Sequence, residues 1–270
     1  VTIFVDPRRR PNVQTYTLLS QHGFRRSGDH VYRPQCPDCN ACIPVRIPVD
    51  EFTPTRAQRR TLRANADVFL VPKPPTFQRE HFALYERYIN ARHSGGSMEN
   101  PDRDSYLEFL TSGWADSVFY EFRCGRQLLA VAVVDHLLDG LSAVYTFFEP
   151  DLPRRSLGRL AILKQIELAR TLQLKWLYLG YWIDECRKMA YKREYWPLEQ
   201  LSAGSWSRGV FSDEVSGETM ARSAASSRNA SRPTRASTRR FEAPTEDSPT
   251  RLIKPISALE ATWVPAQSSR

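Results

Sequence analysis

The 270-residue sequence contains no apolar run of the ~18 residues that a membrane-spanning helix needs. Its first ten residues, Val-Thr-Ile-Phe-Val-Asp-Pro-Arg-Arg-Arg, also lack the order of a secretory signal, because their charges follow the apolar residues instead of preceding them. These two absences predict a cytoplasmic protein that has no membrane partner.

Cysteine is scarce and odd in number, with five residues, so a disulfide framework is not expected in a reducing compartment. Three of the five lie in Cys36-Pro-Asp-Cys39-Asn-Ala-Cys42. Because Cys-x-x-Cys brings two sulfurs within reach of one metal ion, we expect zinc or an iron–sulfur cluster at Cys36, Cys39 and Cys42. Spacing identifies no fourth ligand, and reduced thiols in a tight turn or a redox pair are the alternatives.

Positive charge is in excess, with 38 Lys and Arg against 30 Asp and Glu, a net charge of +8 and a pI of about 9.4. Such a balance suits an anionic partner such as RNA but is weak by itself. Arg56, Arg59, Arg60 and Arg63 follow one another at helical spacing, so a helix here would carry a positive stripe that matches a phosphate backbone. A merely solvated basic face is the alternative.

Composition divides the chain into three zones, at residues 1–72, 73–206 and 207–270. The first holds the cysteine cluster and the second the strongest periodicity, and Pro74-Pro75 suggests a short linker between them. The third is rich in Ser, Arg, Ala and Thr and cannot bury enough apolar surface to fold, so we predict a disordered C-terminal tail. A basic tail that contacts RNA is the alternative.

The middle zone predicts an α+β fold. Two helices are expected first, then three antiparallel strands, a helix and a further strand; the predicted ranges are 76–92, 103–112, 117–123, 127–136, 141–147, 156–172 and 175–183. Asp139-Gly140 predicts a tight hairpin, since these residues tolerate positive φ. Upstream, residues 43–50 predict an extended segment at a sheet edge, because two prolines remove ladder donors. This order resembles the N-acetyltransferase (GNAT) architecture, with a smaller Cys-containing domain before it.

Residues 178–192 are the most informative stretch, since an aromatic run turns into a basic segment that contains further aromatics. Aromatic rings stack on bases and cations neutralise phosphate, so a nucleotide site is indicated, with a buried strand and a charged helix as the alternative. Residues 154–158 lie before a predicted helix N-terminus, where anions bind. Arg92-His93 could bind a carboxylate, although a helix C-terminus explains the same residues.

Taken together, these segments resemble the aminoacyl-tRNA–protein transferases of the N-degron pathway, most closely their bacterial aspartate/glutamate leucyltransferase branch. The resemblance spans about residues 1–206. Its main stretches are Gly23-Phe-Arg-Arg-Ser-Gly28, Tyr32-Arg-Pro with the cysteine cluster, residues 43–47 and 52–60, Arg92-His93, residues 130–135 and 139–148, Arg155-Ser-Leu-Gly158, and residues 178–199.

The resemblance implies transfer of leucine from leucyl-tRNA to proteins that begin with Asp or Glu, which marks them for degradation, with no cofactor needed for the chemistry. It implies three groups of site residues. The catalytic group is Asp135, Tyr145 and Tyr181; the acceptor-binding group is Arg46, Arg92, His93 and Lys192; and the aminoacyl-tRNA-binding group is Arg56, Arg60, Arg155, Gly158, Tyr178 and Trp182.

Three other functions stay open at this point: an arginyl-tRNA donor, a coenzyme A-dependent GNAT N-acyltransferase, and a non-enzymatic RNA-binding module. The glycine loop at residues 155–158 is incomplete for coenzyme A, since Leu160 stands where a small residue is usual. Members of the family usually carry a further cysteine motif before the position of Val1, and they finish near residues 204–206, so the tail has no counterpart in them.

Overall fold

The structure is a computed structural model that describes residues 1–92, 100–186 and 188–209, all within one compact unit, Val1–Ser216. The predicted tail beyond residue 209 therefore lies outside the described residues, as does His93. No helix in the described part of the chain is both long and apolar enough to cross a membrane.

The described residues form helices and strands in a mixed order, which confirms the predicted mixture of α and β structure. The helices are α1 Val13–Gln21, α2 Arg56–Ala64, α3 Arg79–Arg92, α4 Arg103–Leu110 and α5 Leu157–Thr171. The strands are β1 Thr2–Phe4, β2 Arg25–Ser27, β3 His30–Pro34, β4 Ile43–Pro48, β5 Phe69–Lys73, β6 Ser117–Cys124, β7 Gln127–His136, β8 Gly140–Phe148, β9 Trp176–Trp182, β10 Glu199–Ser202 and β11 Ser205–Arg208.

An eight-stranded sheet, in the order β11-β10-β4-β9-β8-β7-β6-β5, organises the described chain. All of its pairs are antiparallel except β8 with β9, which α5 connects as a crossover. A second sheet of three strands, β1-β3-β2, forms near the N-terminus. The predicted strands and helices of the middle zone are confirmed, with ends shifted by a few residues.

The central strand β7 is buried on both faces, as its continuous apolar sequence predicts. Ala130 and Ala132 face the cluster that α5 covers, whereas Val131 and Val133 face the aromatic cluster under α3 and α4. Helix α2 begins at a capping box between Thr55 and Gln58, which satisfies free N–H groups of its first turn. The predicted arginine helix is therefore present.

The prediction of an edge position for residues 43–50 is wrong, because β4 lies inside the large sheet between β10 and β9. It pairs with β9 along its whole length, but with β10 only at Val45 and Arg46. Pro44 and Pro48 lie outside that short pairing with β10, so their missing N–H donors do not prevent an internal position.

Candidate functional site

Strands β8 and β9 separate after a short parallel pairing that ends at Ser142 and Tyr178. Beyond that point β8 continues against β7, and β9 continues against β4. We call the space between residues 143–148 and 179–182 the strand gap. Gly180 lies in it at a φ of +75°, beside a bulge in β9, a backbone conformation that favours glycine. Two parallel strands that part leave unpaired peptide groups, a common place for a ligand.

Arg25 of β2 bridges the mouth of the strand gap. Its Nη2 donates to the carbonyl of Ala143 on β8 at 2.6 Å, and Nη1 lies 3.5 Å from the carbonyl of Tyr178 on β9. A Cβ at position 180 would stand 2.9 Å from the Arg25 guanidinium carbon, so glycine is needed for this close approach as well. Arg25 was absent from the predicted site residues.

The next residue, Arg26, points to the opposite side of β2, because side chains alternate along a strand. Its guanidinium makes a bidentate ion pair with Asp135, with Nε 2.6 Å from Oδ2 and Nη2 2.7 Å from Oδ1. Ser117 and Tyr16 also donate to the Asp135 carboxylate, at 2.7 Å and 2.9 Å. Both partners of the pair are fully buried.

Asp135 was placed in the predicted catalytic group, and that role stays a prediction. The geometry favours another role, because both carboxylate oxygens are already occupied by donors from β2, β6 and α1. We therefore regard Asp135 as the residue that fixes β2, and with it Arg25, against the large sheet.

Lys192 lies in a short 3-10 helix, Ala190–Glu194, and its ammonium donates to the carbonyl of Tyr181 in the strand gap. Burial lowers the pKa of Lys192 to about 7; the nearby Arg25 charge lowers it further, and Cys186 opposes the shift. Only 6% of the residue is exposed. Among the described residues, neither Lys192 nor Arg25 forms a salt bridge with a carboxylate.

Tyr145 of β8 reaches into an aromatic cluster formed with α3 and α4. Its ring lies 6.3 Å from Tyr85, 6.4 Å from Tyr88 and 5.0 Å from Phe109. The hydroxyl is buried and has no hydrogen-bond partner among the described residues. Burial raises the pKa of Tyr145, so the hydroxyl keeps its proton and is available as a donor.

Tyr88 and Tyr191 connect the helix side of the gap with Lys192. Tyr88 packs against Phe148 at 4.8 Å, and the Arg92 guanidinium lies 5.3 Å above the same Phe148 ring. Tyr191 is 43% exposed, but protein atoms around its hydroxyl desolvate it and raise its pKa. Tyr88 adds to the shift and Arg25 opposes it, so these groups lie within electrostatic range of one another. Arg92 and Tyr145 are therefore linked through the rings of Phe148 and Tyr88. Tyr191 of the 178–192 segment lies within electrostatic range of Tyr88. The predicted substrate roles of these residues stay predictions.

Three aromatic residues of β9 that were predicted site residues serve the packing of the fold. The Tyr181 hydroxyl donates to the carbonyl of Gly23 at 2.8 Å, and the Tyr178 hydroxyl donates to Asp139 at 3.0 Å. Trp182 belongs to the main hydrophobic cluster. These contacts position the strand gap, and the predicted substrate roles of the three residues stay predictions.

Arg46 is occupied by contacts within the protein. Its Nε pairs with Glu199 of β10 at 2.8 Å, and its guanidinium lies 3.5 Å from the Trp176 ring centre and 4.3 Å from that of Trp206. A stacked and neutralised guanidinium favours a structural role over acceptor binding.

The predicted RNA contacts separate into two groups. Arg56 and Arg60 are exposed on α2 and remain available to a phosphate backbone. Arg155 instead pairs with Asp67 at 2.8 Å, and a Cβ at position 158 would meet Phe148 at 3.1 Å. The end of β8 therefore packs closely on the start of α5, where a pyrophosphate loop was considered.

The backbones of Cys36 and Cys39 form an isolated antiparallel β-bridge, and the thiols of the cysteine cluster are free. The pKa of Cys42 is raised by burial and by the two other thiols, so the three are close to one another. Among the described residues, however, no group of three or more His, Cys, Asp or Glu is arranged to hold a metal ion. The three thiols do not fit a metal site in this conformation, and zinc or a cluster stays a prediction.

The chain matches one known protein family and is similar to individual proteins of known name. Residues 1–60 match the family described as arginine-tRNA-protein transferase, N terminus, and residues 80–202 match the C terminus of that family. The chain is 55% identical over 205 residues to the aspartate/glutamate leucyltransferase of Alcanivorax borkumensis, across 76% of this chain and 85% of the relative. The aspartate/glutamate leucyltransferase of Pseudomonas savastanoi pv. phaseolicola is also 55% identical over 205 residues, across 76% and 87%.

Among solved structures, a C-terminal domain of a lysylphosphatidylglycerol synthetase from Agrobacterium fabrum aligns with a TM-score of 0.42 and 12% identity. It covers 61% of this chain and 50% of that domain's chain, a likeness too weak to carry an argument. The family matches extend over most of the described residues, and they define an aminoacyltransferase. The chain belongs to the aminoacyl-tRNA–protein transferase family, in its aspartate/glutamate leucyltransferase branch.

Proposed function

We propose that this protein transfers leucine from leucyl-tRNA to the α-amine of proteins whose first residue is Asp or Glu. One structural observation carries the proposal: the strand gap presents two basic side chains, Arg25 and Lys192, and no described carboxylate pairs with either of them. The 55% identity to relatives named aspartate/glutamate leucyltransferase supports the same function. By that function the protein acts in the N-degron pathway and works in the cytoplasm, where charged tRNA is present.

The reaction needs little chemical assistance, because the ester of an aminoacyl-tRNA is already activated. The acceptor nitrogen attacks the ester carbonyl, an N–C bond forms, the C–O bond to the ribose breaks, and a proton passes to the ribose oxygen. A free α-amino group has a pKa of about 7.7–8.0, so a sizeable fraction is neutral near pH 8 without a strong base. Orientation and stabilisation of the oxyanion then provide most of the acceleration.

Tyr145 is the residue best suited to stabilise that oxyanion. Its protonated hydroxyl is buried, has no partner among the described residues, and lies on the strand that borders the gap. A donor that is fixed and desolvated before the reaction interacts strongly with a developing negative charge. Arg92, at the end of α3, and His93, the next residue in the sequence, are proposed to contact the acceptor.

We further propose that β6–β9 with α5 act as an acyltransferase core of GNAT type, with residues 73–206 as the transferase domain and residues 1–72 as a smaller accessory domain. An antiparallel meander, a helix and a parallel strand that then diverges support this proposal. The exposed arginines of α2, including Arg56 and Arg60, are proposed to contact the tRNA backbone.

The test is a transfer assay with radiolabelled leucyl-tRNA and arginyl-tRNA, and with peptides that begin with Asp, Glu or Ala. We expect label in the Asp and Glu peptides only, and from leucyl-tRNA only. Label from arginyl-tRNA would change the donor, and transfer from an acyl-coenzyme A would indicate a small-molecule acyltransferase. Binding of tRNA with no labelled product from any donor would contradict the enzymatic proposal.

A further inference from the structure

We propose that Arg25, acting with Lys192, reads the acidic side chain of the acceptor and is therefore a specificity-determining residue. This inference rests on the proposed function, because it names the ligand of the same strand gap. The acceptor's carboxylate would lie between the guanidinium and the ammonium, which places the α-amine beside the parting ends of β8 and β9.

The Arg25 guanidinium retains unused hydrogen-bond donors. A guanidinium carries five N–H donors, and Arg25 commits one to the Ala143 carbonyl at 2.6 Å, with a longer approach to Tyr178 at 3.5 Å. No other hydrogen bond from its side chain is formed to a described residue, so the planar fork retains donors that a carboxylate could accept. The contact with Ala143 also fixes the guanidinium, so little entropy is lost on binding.

The charges of the two residues also favour an anionic ligand. Lys192 is almost fully buried and donates to the Tyr181 carbonyl, next to Gly180, whose backbone the Arg25 guanidinium closely approaches. The two basic groups are therefore near each other, and the charge of Arg25 disfavours the protonated form of Lys192. Two neighbouring cations in a low dielectric are costly unless an anion joins them. Since no described carboxylate fills that position, the missing anion is supplied by the substrate. The buried arginines Arg26 and Arg46 each have an internal carboxylate, whereas half-buried Arg25 has none among the described residues.

The position of Arg25 favours the acceptor's carboxylate over a tRNA phosphate as its ligand. The side-chain carboxylate of Asp or Glu is one or two methylene groups from the α-carbon, so it must lie close to the attacking amine. Arg25 contacts backbone at the point where the strands part, which is where the ester carbonyl is proposed to react. The exposed arginines of α2 are better placed for the phosphate backbone.

The same arrangement assists the chemistry. The two cations that hold the side-chain carboxylate also lower the pKa of the incoming α-ammonium, because like charges disfavour the protonated amine. Acidic acceptors would then be both bound and activated by one pair of residues. A Gln or Asn side chain cannot neutralise the pair, so such peptides are discriminated against although they have nearly the same shape.

The test compares Arg25→Gln, which removes the charge, with Arg25→Lys, which keeps it. Leucine transfer is measured as kcat/KM for peptides that begin with Glu and with Gln. For Arg25→Gln we expect kcat/KM for the Glu peptide to fall about 100-fold, while that for the Gln peptide changes by less than about threefold. The KM for leucyl-tRNA is expected to stay within about twofold. Arg25→Lys should retain part of the preference.

Arg126→Gln is the matched control, since Arg126 lies in the exposed turn between β6 and β7 and belongs to no proposed site. It should leave both peptides and the tRNA unaffected. If Arg25→Gln lowers transfer to both peptides equally, Arg25 only holds the strands and the inference is overturned. A raised KM for leucyl-tRNA with an unchanged Glu preference would assign Arg25 to phosphate and overturn it as well.

A binding measurement separates this inference from the proposed function. Fluorescence anisotropy of labelled Glu and Gln peptides, without tRNA, should show tighter binding of the Glu peptide by the wild type and equal binding by Arg25→Gln. Selective binding without any leucine transfer would reject the transferase and keep the acidic site. Leucine transfer with the same Glu preference in both proteins would keep the transferase and reject the role of Arg25. Should Arg25→Gln fail to fold, Arg25→Lys and the wild type decide, because unselective peptide binding by both contradicts the inference.

Discussion

Arg25 and Arg26 are neighbours in the sequence but have opposite surroundings. Arg26 is fully buried with Asp135, whose oxygens also accept from Ser117 and Tyr16. Arg25 reaches the strand gap, contacts backbone carbonyls, and lies near a second basic residue, Lys192. The comparison shows how a strand's alternation can assign one arginine to the architecture and the next to a ligand.

The two arginines differ in whether a carboxylate of the protein neutralises the guanidinium. A buried cation with an internal carboxylate fixes the positions of the elements that supply the two partners, here β2 and β7. A buried cation without such a carboxylate awaits an anion from outside. Variants should therefore separate into those that lose stability and those that lose activity.

The largest effect is expected at the neutralised pair. Asp135→Ala leaves the Arg26 charge buried and unpaired, so the free energy of unfolding should fall by about 3–5 kcal/mol. Urea unfolding followed by circular dichroism measures this. The double variant Arg26→Met with Asp135→Leu serves as the control and should recover most of the loss. A loss below about 1 kcal/mol in the single variant would mean that the pair does not anchor β2.

Tyr145→Phe should come next, and it should affect activity without a loss of stability. Removing a donor aimed at the oxyanion is expected to lower kcat about 100-fold, with KM for both substrates nearly unchanged. Tyr106→Phe is a matched control, since Tyr106 also carries a buried hydroxyl without a described partner in the same aromatic cluster. Equal losses of kcat in both variants would indicate a packing effect and remove the proposed role.

The pH dependence of stability, compared between the wild type and Lys192→Met, tests whether burial disfavours the protonated form of Lys192. Unfolded lysine keeps its proton up to about 10.5, whereas folded Lys192 releases it near 7, so the unfolded state binds more protons between these values. Stability therefore rises with pH in that window. The wild type should gain about 1–2 kcal/mol relative to Lys192→Met between pH 7 and pH 8.5, at about 1.4 kcal/mol per pKa unit. The groups that act on Lys192, namely Arg25, Cys186 and the Tyr181 carbonyl, are the same in both proteins. If the difference in free energy of unfolding between the wild type and Lys192→Met does not change with pH, the lowered pKa of Lys192 is contradicted.

The smallest effect is expected far from the gap. Arg56→Gln with Arg60→Gln should raise the KM for leucyl-tRNA about two- to fivefold and weaken its salt dependence, because each exposed arginine contributes one phosphate contact. The selectivity between Glu and Gln peptides should not change. A change in selectivity without a change in the KM for leucyl-tRNA would move these residues from the RNA contact to the acceptor site.

The sequence predicts local features of the fold well. The apolar run of β7, the turn at Asp139-Gly140 and the arginine spacing of α2 each contain their own structural signal, and each element is present. The position of β4 was predicted wrongly. Its prolines show which N–H donors are missing from β4 itself, but they do not show which strands pair with it. The short pairing with β10 comes from residues more than a hundred positions away.

Site residues depend more strongly on such distant partners. Arg46 has the composition of an acceptor ligand, but Glu199 and two tryptophan rings occupy it. The sequence Gly23-Phe-Arg-Arg26 does not indicate which of its two adjacent arginines has a structural role. Only the fold shows that Arg26, and not Arg25, pairs with Asp135. The role of Arg25 depends on Ala143, which follows it by more than a hundred residues.

The most direct test of the unneutralised pair is the pKa of Lys192 itself, measured by NMR of ¹³Cε-labelled lysine with Lys192→Arg for assignment. The free protein should titrate near 7, and a saturating Glu peptide should raise that pKa by at least about one unit, since a carboxylate favours the charged lysine. A Gln peptide should leave it unchanged. Equal pKa values with and without the Glu peptide would contradict the account.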